Sequence, residues 1–157
     1  MAIQTRINYV KLVFWVILVE AIGFLSSQLS GDIRAVYQSL SLPAFSPPGV
    51  VFGIVWPILY VLIGISGYAI WNSRKAHPEL LWLFLTQLFL NFIWTIVFFS
   101  GSLLITGLII IVIMDIIVSM LMIKVHPVNP VAAWLLVPYL LWLAFATYLA
   151  AGVAVLN

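Results

Sequence analysis

The sequence predicts an all-α membrane protein, a bundle of five transmembrane helices. Charged residues make up only 6% of the 157 residues, whereas 66% are hydrophobic and 15% are aromatic. The hydrophobic residues fall into five runs, each close to the roughly 20 residues that a helix needs to cross a bilayer. The runs lack the alternation of polar and apolar residues that a membrane barrel requires, and helices satisfy their own backbone groups in lipid. Together these features favour helices over strands.

The predicted spans are connected by short segments, with one exception between the first two. They cover residues 9–29, 50–71, 80–99, 103–124 and 131–156. No stretch outside them is long enough to fold alone, so we expect a single domain over residues 1–157. The first span contains Glu20 and lacks a small-residue cleavage site, so we expect it to remain as a helix.

The basic residues predict the orientation of the chain in the membrane. Five of the six lie on the side of the N-terminus, and they are Arg6, Lys11, Arg74, Lys75 and Lys124. The other side has only Arg34. Because cytoplasmic segments are enriched in Lys and Arg, we expect the N-terminus in the cytoplasm and the C-terminus outside.

Composition also excludes several functional classes. The chain has no cysteine, which excludes disulfides, thiolate metal sites and cysteine catalysis. A net charge of +2 without a basic patch gives no reason to expect a nucleic-acid partner. No Ser–His–Asp arrangement, water-accessible carboxylate pair or glycine-rich phosphate loop supports a conventional enzyme. His77 and His126 lie in loops beside prolines, so we expect no metal or haem site.

The long loop, residues 30–49, allows two interpretations. It is either a solvated connector or a lid that folds back over the mouth of the bundle. Apolar residues such as Tyr37, Leu42 and Phe45 favour the lid, because a connector does not need them. By contrast, Ser100–Gly101–Ser102 is a tight turn, so the third and fourth spans are predicted to be antiparallel neighbours.

The second span has one face of large rings and glycines. Its residues recur at spacings of three and four and are Trp56, Tyr60, Gly64, Gly67 and Trp71. This pattern is typical of a helix-packing face. Alternatively, the part near the long loop opens onto a cavity while the glycines allow close helix contact below it. Pro57 lies within this span and can kink the helix.

The third and fifth spans each carry a comparable face. Gln87, Asn91, Trp94 and Phe98 follow helical spacing in the third span, where the amides either join helices or orient the polar edge of a ligand. In the fifth span the face comprises Pro138, Trp142, Phe145, Ala146 and Leu149. The small Ala146 leaves room beside Trp142, which suits either a flat ligand or close helix packing.

Two carboxyl groups lie within the spans, Glu20 in the first and Asp115 in the fourth. No Lys or Arg lies at a matching depth, so each is expected to be protonated or bonded to a hydroxyl or amide. They serve either as structural links between helices or as proton-coupling groups of a transporter. The chain lacks an internal repeat, which weakens the transporter interpretation.

Three ordered motifs resemble those of the TspO/translocator protein family, the tryptophan-rich sensory proteins. The first is LPAFSPPG at 42–49, followed by GIVW at 53–56 and LY at 59–60. The second is NFIW at 91–94 with FF at 98–99, and the third is PYLLW at 138–142 with FATYL at 145–149. The resemblance covers nearly the whole chain.

This resemblance implies an often dimeric five-helix bundle whose pocket lies under the first loop. Family members bind porphyrins such as protoporphyrin IX, and isoquinoline or benzodiazepine-type ligands. The family pocket maps onto Tyr37, Trp56, Asn91, Phe98, Trp142 and Ala146. With Tyr60, Trp94 and Phe145 on the same faces, these residues form the predicted ligand-binding set. We therefore expect a membrane receptor or sensor, a homodimer, with porphyrin as ligand and no cofactor.

Two further functions stay open under the same resemblance. Some bacterial members promote light-dependent porphyrin breakdown, which makes Trp56 and Trp142 candidate redox residues, although no firm catalytic group is assigned. A porphyrin or small-molecule transporter is the other alternative. The chain departs from the family at Phe45, where tryptophan is common, and at Ala150, where asparagine is common. Without a tyrosine and a basic residue at the end of the fifth span, sterol recognition by the animal motif is not expected.

Overall fold

The computed structural model describes residues 7–157 of the chain. Within this range the elements are α1 (Tyr9–Leu29), α2 (Ile33–Ser39), α3 (Gly49–Ser73), α4 (Pro78–Thr95), a π-helical turn (Ile96–Ser100), α5 (Leu104–Val125), α6 (Pro130–Leu135) and α7 (Val137–Leu156). Residues 7–157 contain no strand. Arg6, which entered the orientation argument, lies outside the described residues.

Five helical segments of the described chain are long and apolar enough to span a membrane. They are Tyr9–Leu29, Gly49–Ser73, Pro78–Ser100, Leu104–Val125 and Pro130–Leu156. This confirms the predicted bundle of five transmembrane helices. The fifth span differs from the prediction in one respect, because Leu136 interrupts it between α6 and α7, just before Pro138.

Local sequence signals place the helix starts. Asn8 Oδ1 accepts the Lys11 N–H at 3.0 Å, and Asp32 Oδ1 accepts the Ala35 N–H at 3.0 Å. Asn129 caps α6 through the Ala132 N–H in the same way. Side-chain oxygens at these positions satisfy backbone donors that a helix start leaves unpaired. Pro57 does not divide α3, which runs as one helix through it.

The helices alternate in direction and define two ends of the bundle. The basic end comprises the start of α1 and the connections α3–α4 and α5–α6, whereas the loop end comprises residues 30–48, the turn at 101–103 and Asn157. Helix α1 packs chiefly on α3, and α5 packs on both α4 and α7. The predicted antiparallel contact between the third and fourth spans is present. The backbones of α3 and α7 approach each other at few positions, so side chains fill the space between them.

Glycines set the closest contact in the bundle. A Cβ added at Gly64 would lie 2.7 Å from the Val16 Cα, and one added at Gly23 would overlap the ring of Tyr60. At Gly67 it would meet the ring of Phe84 at 2.6 Å. Helices α1 and α3 can therefore approach closely only because these positions have no side chain. The glycine part of the α3 face closes the bundle, as both interpretations of that face predict.

The long loop folds back over the loop end of the bundle. Helix α2 lies against the π-helical turn at the end of α4. The loop then runs along the end of α7, where Asn157 Oδ1 accepts the Ser41 N–H at 2.9 Å and Asn157 Nδ2 donates to the Ser41 oxygen at 3.0 Å. Pro43 packs against Gly152. A solvated connector would not make these contacts.

Candidate functional site

Trp56 of α3 and Trp142 of α7 lie half-buried on facing helices, each against rings of the opposite helix. Trp56 stacks on Tyr60, with ring centroids 5.3 Å apart, and points its ring toward Tyr139 of α7 at 6.4 Å. Trp142 meets Phe52 of α3 edge-on at 5.7 Å. The two helices therefore contact each other mainly through interdigitated aromatic rings. We call this region between α3 and α7 the aromatic cleft.

Tyr37 of the long loop extends the aromatic cleft at the loop end of the bundle. The Tyr37 ring lies 5.3 Å from the ring of Phe52, which also contacts Trp142. The Tyr37 hydroxyl donates to the Pro47 oxygen at 2.7 Å, so the loop fixes the phenol. Burial raises the pKa of Tyr37 above its ordinary value. A hydrogen bond with the Ser46 side chain lowers the pKa by a smaller amount. The phenol is therefore a neutral hydrogen-bonding group at neutral pH.

A buried chain of hydrogen bonds lies beneath the rings. The Tyr60 hydroxyl donates to Asn91 Oδ1 at 3.0 Å, and Asn91 Nδ2 donates to the Tyr139 hydroxyl at 3.1 Å. The Tyr139 hydroxyl in turn donates to Gln87 Oε1 at 3.0 Å. The predicted interhelix bonds of the two amides are therefore present and join α3, α4 and α7. Whether Asn91 also contacts a ligand stays a prediction.

Two buried side-chain donors have no hydrogen-bond partner among residues 7–157. They are Gln87 Nε2 and Trp142 Nε1. A buried donor without a partner costs about 1–3 kcal/mol, so folded proteins rarely leave a buried donor unpaired. The Trp142 indole N–H adjoins the aromatic cleft and is free to meet an acceptor atom of a bound molecule.

Two members of the predicted ligand-binding set belong to a different cluster. Trp94 Nε1 donates to the Gly107 oxygen of α5 at 2.9 Å, and its ring stacks on Phe98 at 5.1 Å. Phe98 is buried and fills the space above Gly107. No aromatic pair in the described chain links these rings with Trp56 or Trp142. Trp94 and Phe98 thus pack α4 and the π-helical turn that follows it on α5.

The remaining predicted residues lie beside Trp142 on α7. Phe145 has its ring 5.7 Å from that of Trp142 and stacks in turn on Tyr148 at 6.3 Å. Ala146 is buried, with 6% of its surface exposed. Ring contacts therefore join Tyr37, Trp142 and Phe145 through Phe52, and a second group joins Trp56 and Tyr60 with Tyr139. The two groups lie one after the other between α3 and α7.

The aromatic cleft is occupied by ring–ring contacts, and two cavities of the described chain lie outside it. A cavity of about 260 Å³ is lined by Ile22, Leu85, Leu88, Phe89 and Phe92, and one of about 220 Å³ by Met122, Ile123, His126, Ala133, Trp134 and Val137. Neither includes a predicted site residue. A planar guest between Trp56 and Trp142 therefore requires the intervening rings to move.

Asp115 engages a hydroxyl, as expected for a carboxyl within a span. Its Oδ2 atom accepts from Thr147 Oγ1 at 2.6 Å, which joins α5 to α7. Glu20 is half-buried on α1, and its side chain makes no hydrogen bond within residues 7–157. The Asp115 bond favours the structural interpretation of that carboxyl over a role in proton coupling.

Phe52, Tyr139 and Gln87 contribute to this site but were absent from the predicted ligand-binding set. Phe52 lies one helical turn before Trp56, and Tyr139 lies one turn before Trp142. Helical spacing from the two tryptophans would have identified both rings. The hydroxyl partner of Gln87 is not recognisable from spacing, because it lies on a different helix.

We expect the substitution Tyr139→Phe to destabilise the bundle without removing the ring. It deletes one hydroxyl that both accepts from Asn91 and donates to Gln87, leaving two buried amides short of a partner. The expected loss of unfolding free energy is about 1–2 kcal/mol. Thermal unfolding in detergent measures it, with Tyr9→Phe as the control because the Tyr9 side chain is exposed. Equal melting temperatures of the two variants would contradict the expectation.

Residues 15–156 match the model of the TspO/MBR family. A tryptophan-rich protein TspO of Archaeoglobus fulgidus is 37% identical over 156 residues, which cover 96% of this chain and 99% of the relative. A protein of the same name from Bacillus cereus is 35% identical, with coverages of 80% and 83%. The human translocator protein is 34% identical, with coverages of 72% and 69%. The similarity therefore extends across all five spans.

Proposed function

This chain belongs to the TspO/MBR family of integral membrane proteins, and on that basis we propose that it is a receptor or sensor for planar tetrapyrroles. Family membership supports a sensor- or transporter-type role in the membrane. Protoporphyrin IX is the proposed ligand, and isoquinoline or benzodiazepine-type compounds are proposed to occupy the same place. The proposed place is the aromatic cleft beneath the long loop.

The observation that best supports this proposal is the interdigitation of Trp56 and Trp142 with rings of the opposite helix. Large rings from two spans meet below a loop that contributes Tyr37. Aromatic faces stack favourably on other flat π-systems, and small-molecule sites are typically apolar with a few polar groups. A flat macrocycle that replaced the contacts between these rings would find an aromatic surface on both sides.

Polar recognition is proposed to rest on Trp142 and Tyr37. Both hydrogen-bonding groups of the Asn91 amide are engaged by tyrosine hydroxyls, whereas the Trp142 indole N–H has no partner in the described chain. A carboxylate or carbonyl oxygen of the ligand would satisfy that donor. The proposed ligand therefore presents hydrogen-bond acceptors at its edge, as the propionates of protoporphyrin do.

Ligand entry is proposed to require the long loop to act as a lid. The cleft is filled by rings, so α3 and α7 must separate or the rings must rotate. Few backbone contacts join the two helices, which lowers the cost of such a movement. Loops that cover binding sites commonly move in this way.

A titration of the protein with protoporphyrin IX tests the proposed function. The protein is reconstituted in lipid nanodiscs, and porphyrin absorption is followed in the dark. We expect saturable binding with one porphyrin per chain and competition by a flat isoquinoline amide. Binding no stronger than in nanodiscs without protein would refute the proposal.

Orientation and assembly are part of the same proposal. We propose that the basic end, with Lys11, Arg74, Lys75 and Lys124, faces the cytoplasm, because the loop end has only Arg34. The C-terminus would then lie outside. A homodimer in the bilayer is proposed from the family resemblance.

A further inference from the structure

Phe45 lies at the tip of the long loop and points away from the protein. Its side chain is 89% exposed, the highest value among the large hydrophobic residues of the described chain. Its backbone has φ of 64°, in the left-handed region that a bulky residue rarely adopts. Such a conformation persists only where surrounding contacts enforce it. The loop therefore holds an aromatic ring outward at a cost in backbone strain.

The contacts of the preceding residue give the depth of Phe45 relative to the bundle. The Tyr148 hydroxyl donates to the Ala44 oxygen at 2.8 Å. Tyr148 precedes Leu156, the last residue of α7, by eight residues, so it lies about 12 Å below the end of α7 at 1.5 Å per residue. Above Tyr148, α7 still exposes Val155 at 85% and Leu156 at 52%. Because these exposed apolar side chains suit lipid, the bilayer extends beyond the level of Phe45.

The backbone between Ser41 and Pro48 is partly paired: of its five N–H groups, only that of Ser41 donates a hydrogen bond within residues 7–157. Five of its carbonyls accept hydrogen bonds, namely those of Ser41, Pro43, Ala44, Pro47 and Pro48. Three of its eight residues are prolines, which have no N–H to satisfy. Non-helical backbone is tolerated at membrane depth only where its polar groups are satisfied or shielded. Most carbonyls of the segment meet that requirement and four of its N–H groups do not, which leaves the Phe45 side chain as the part suited to lipid.

We propose that the side chain of Phe45 inserts among the lipids at the loop end as an anchor of the loop. Lipid is the favoured partner because α7 exposes apolar side chains on both sides of this level, Val155 and Leu156 beyond it and Leu141 before it. Aromatic side chains are enriched where membrane meets water.

The absence of cysteine from the chain makes a direct depth measurement possible. Three single-cysteine variants are compared, Phe45→Cys, Gln38→Cys on the exposed side of α2, and Val155→Cys as a reference for lipid. Each is spin-labelled in phosphatidylcholine–phosphatidylglycerol vesicles. Power saturation then gives the accessibility of the label to oxygen, which concentrates in lipid, and to a water-soluble nickel chelate.

We expect the oxygen-to-nickel accessibility ratio at position 45 to lie within about twofold of position 155 and several-fold above position 38. A ratio nearer to that of position 38 would overturn the proposal, since the ring would then face water. Low accessibility to both reagents would also overturn it, because a second protein surface would be covering the ring. If Phe45→Cys loses its helical circular dichroism, Ala44→Cys replaces it, because the Ala44 side chain is also exposed.

Discussion

Replacement of both Trp56 and Trp142 by phenylalanine is expected to weaken protoporphyrin IX binding by roughly tenfold to a hundredfold. Each ring is half-buried in the aromatic cleft and contacts rings of the opposite helix. Specific aromatic pairing contributes about 0.5–1.5 kcal/mol per pair, and each 1.4 kcal/mol corresponds to a factor of ten in affinity. Phenylalanine keeps an aromatic ring at each position, so the helices should still pack. Porphyrin absorption during titration measures the change without depending on tryptophan fluorescence.

The matched control is the double substitution Trp82→Phe and Trp134→Phe. These two tryptophans are 70% and 67% exposed and lie outside the cleft. The control removes the same number of indoles from the same chain and should leave the affinity unchanged. An equal loss of affinity in both double variants would place the porphyrin elsewhere or show that it binds nonspecifically.

The single variants separate stacking from hydrogen bonding. Trp142→Phe removes the buried indole N–H that lacks a partner in the described chain, whereas Trp56→Phe removes ring area. We therefore expect Trp142→Phe to lower the affinity for ligands with acceptor groups more strongly than Trp56→Phe does. Illumination of the Trp142→Phe complex also tests the photochemical alternative, because bleaching of the porphyrin Soret band would then slow relative to the unsubstituted protein.

The sequence was sufficient to predict the five spans and the folding back of the long loop. The spans follow from the scarcity of charge, and the loop follows from its apolar residues, which needed a surface to pack on. Helical spacing also placed Trp56 with Tyr60 and Trp142 with Phe145 on common faces. These are local features, so a single chain is enough to recognise them.

The partner of each face could not be predicted in the same way. An apolar face on a helix is about 100° wide, so a helix surrounded by others presents its two edges to different neighbours. On α4, Asn91 meets Tyr60 and Tyr139, whereas Trp94 meets Gly107 of α5. The predicted grouping of Trp94 and Phe98 with the ligand-binding set rested on spacing alone. Their contacts depend on the arrangement of α4 and α5 in space.

The largest effect on stability is expected from the substitution Gly64→Leu. A Cβ at this position would lie 2.7 Å from the Val16 Cα and 3.1 Å from the Trp15 backbone oxygen, so the backbone of α1 must move. Overpacking in a well-packed core typically costs 1–3 kcal/mol, and a backbone clash should place this substitution at about 3 kcal/mol. For a chain of this size that corresponds to a fall in melting temperature of roughly 6–12 °C. Thermal unfolding in detergent, followed by circular dichroism, measures it.

Gly53 and Gly67 provide matched controls within α3 itself. A Cβ at Gly53 meets nothing within 4 Å, so Gly53→Leu should not lower the melting temperature, and the better helix propensity of leucine favours a small rise. A Cβ at Gly67 meets the side chains of Phe84 and Trp15, which can shift more readily than backbone. We therefore expect the order Gly53→Leu, Gly67→Leu, Gly64→Leu from most to least stable. If Gly64→Leu and Gly53→Leu had the same melting temperature, the close approach of α1 and α3 would not be what stabilises this side of the bundle.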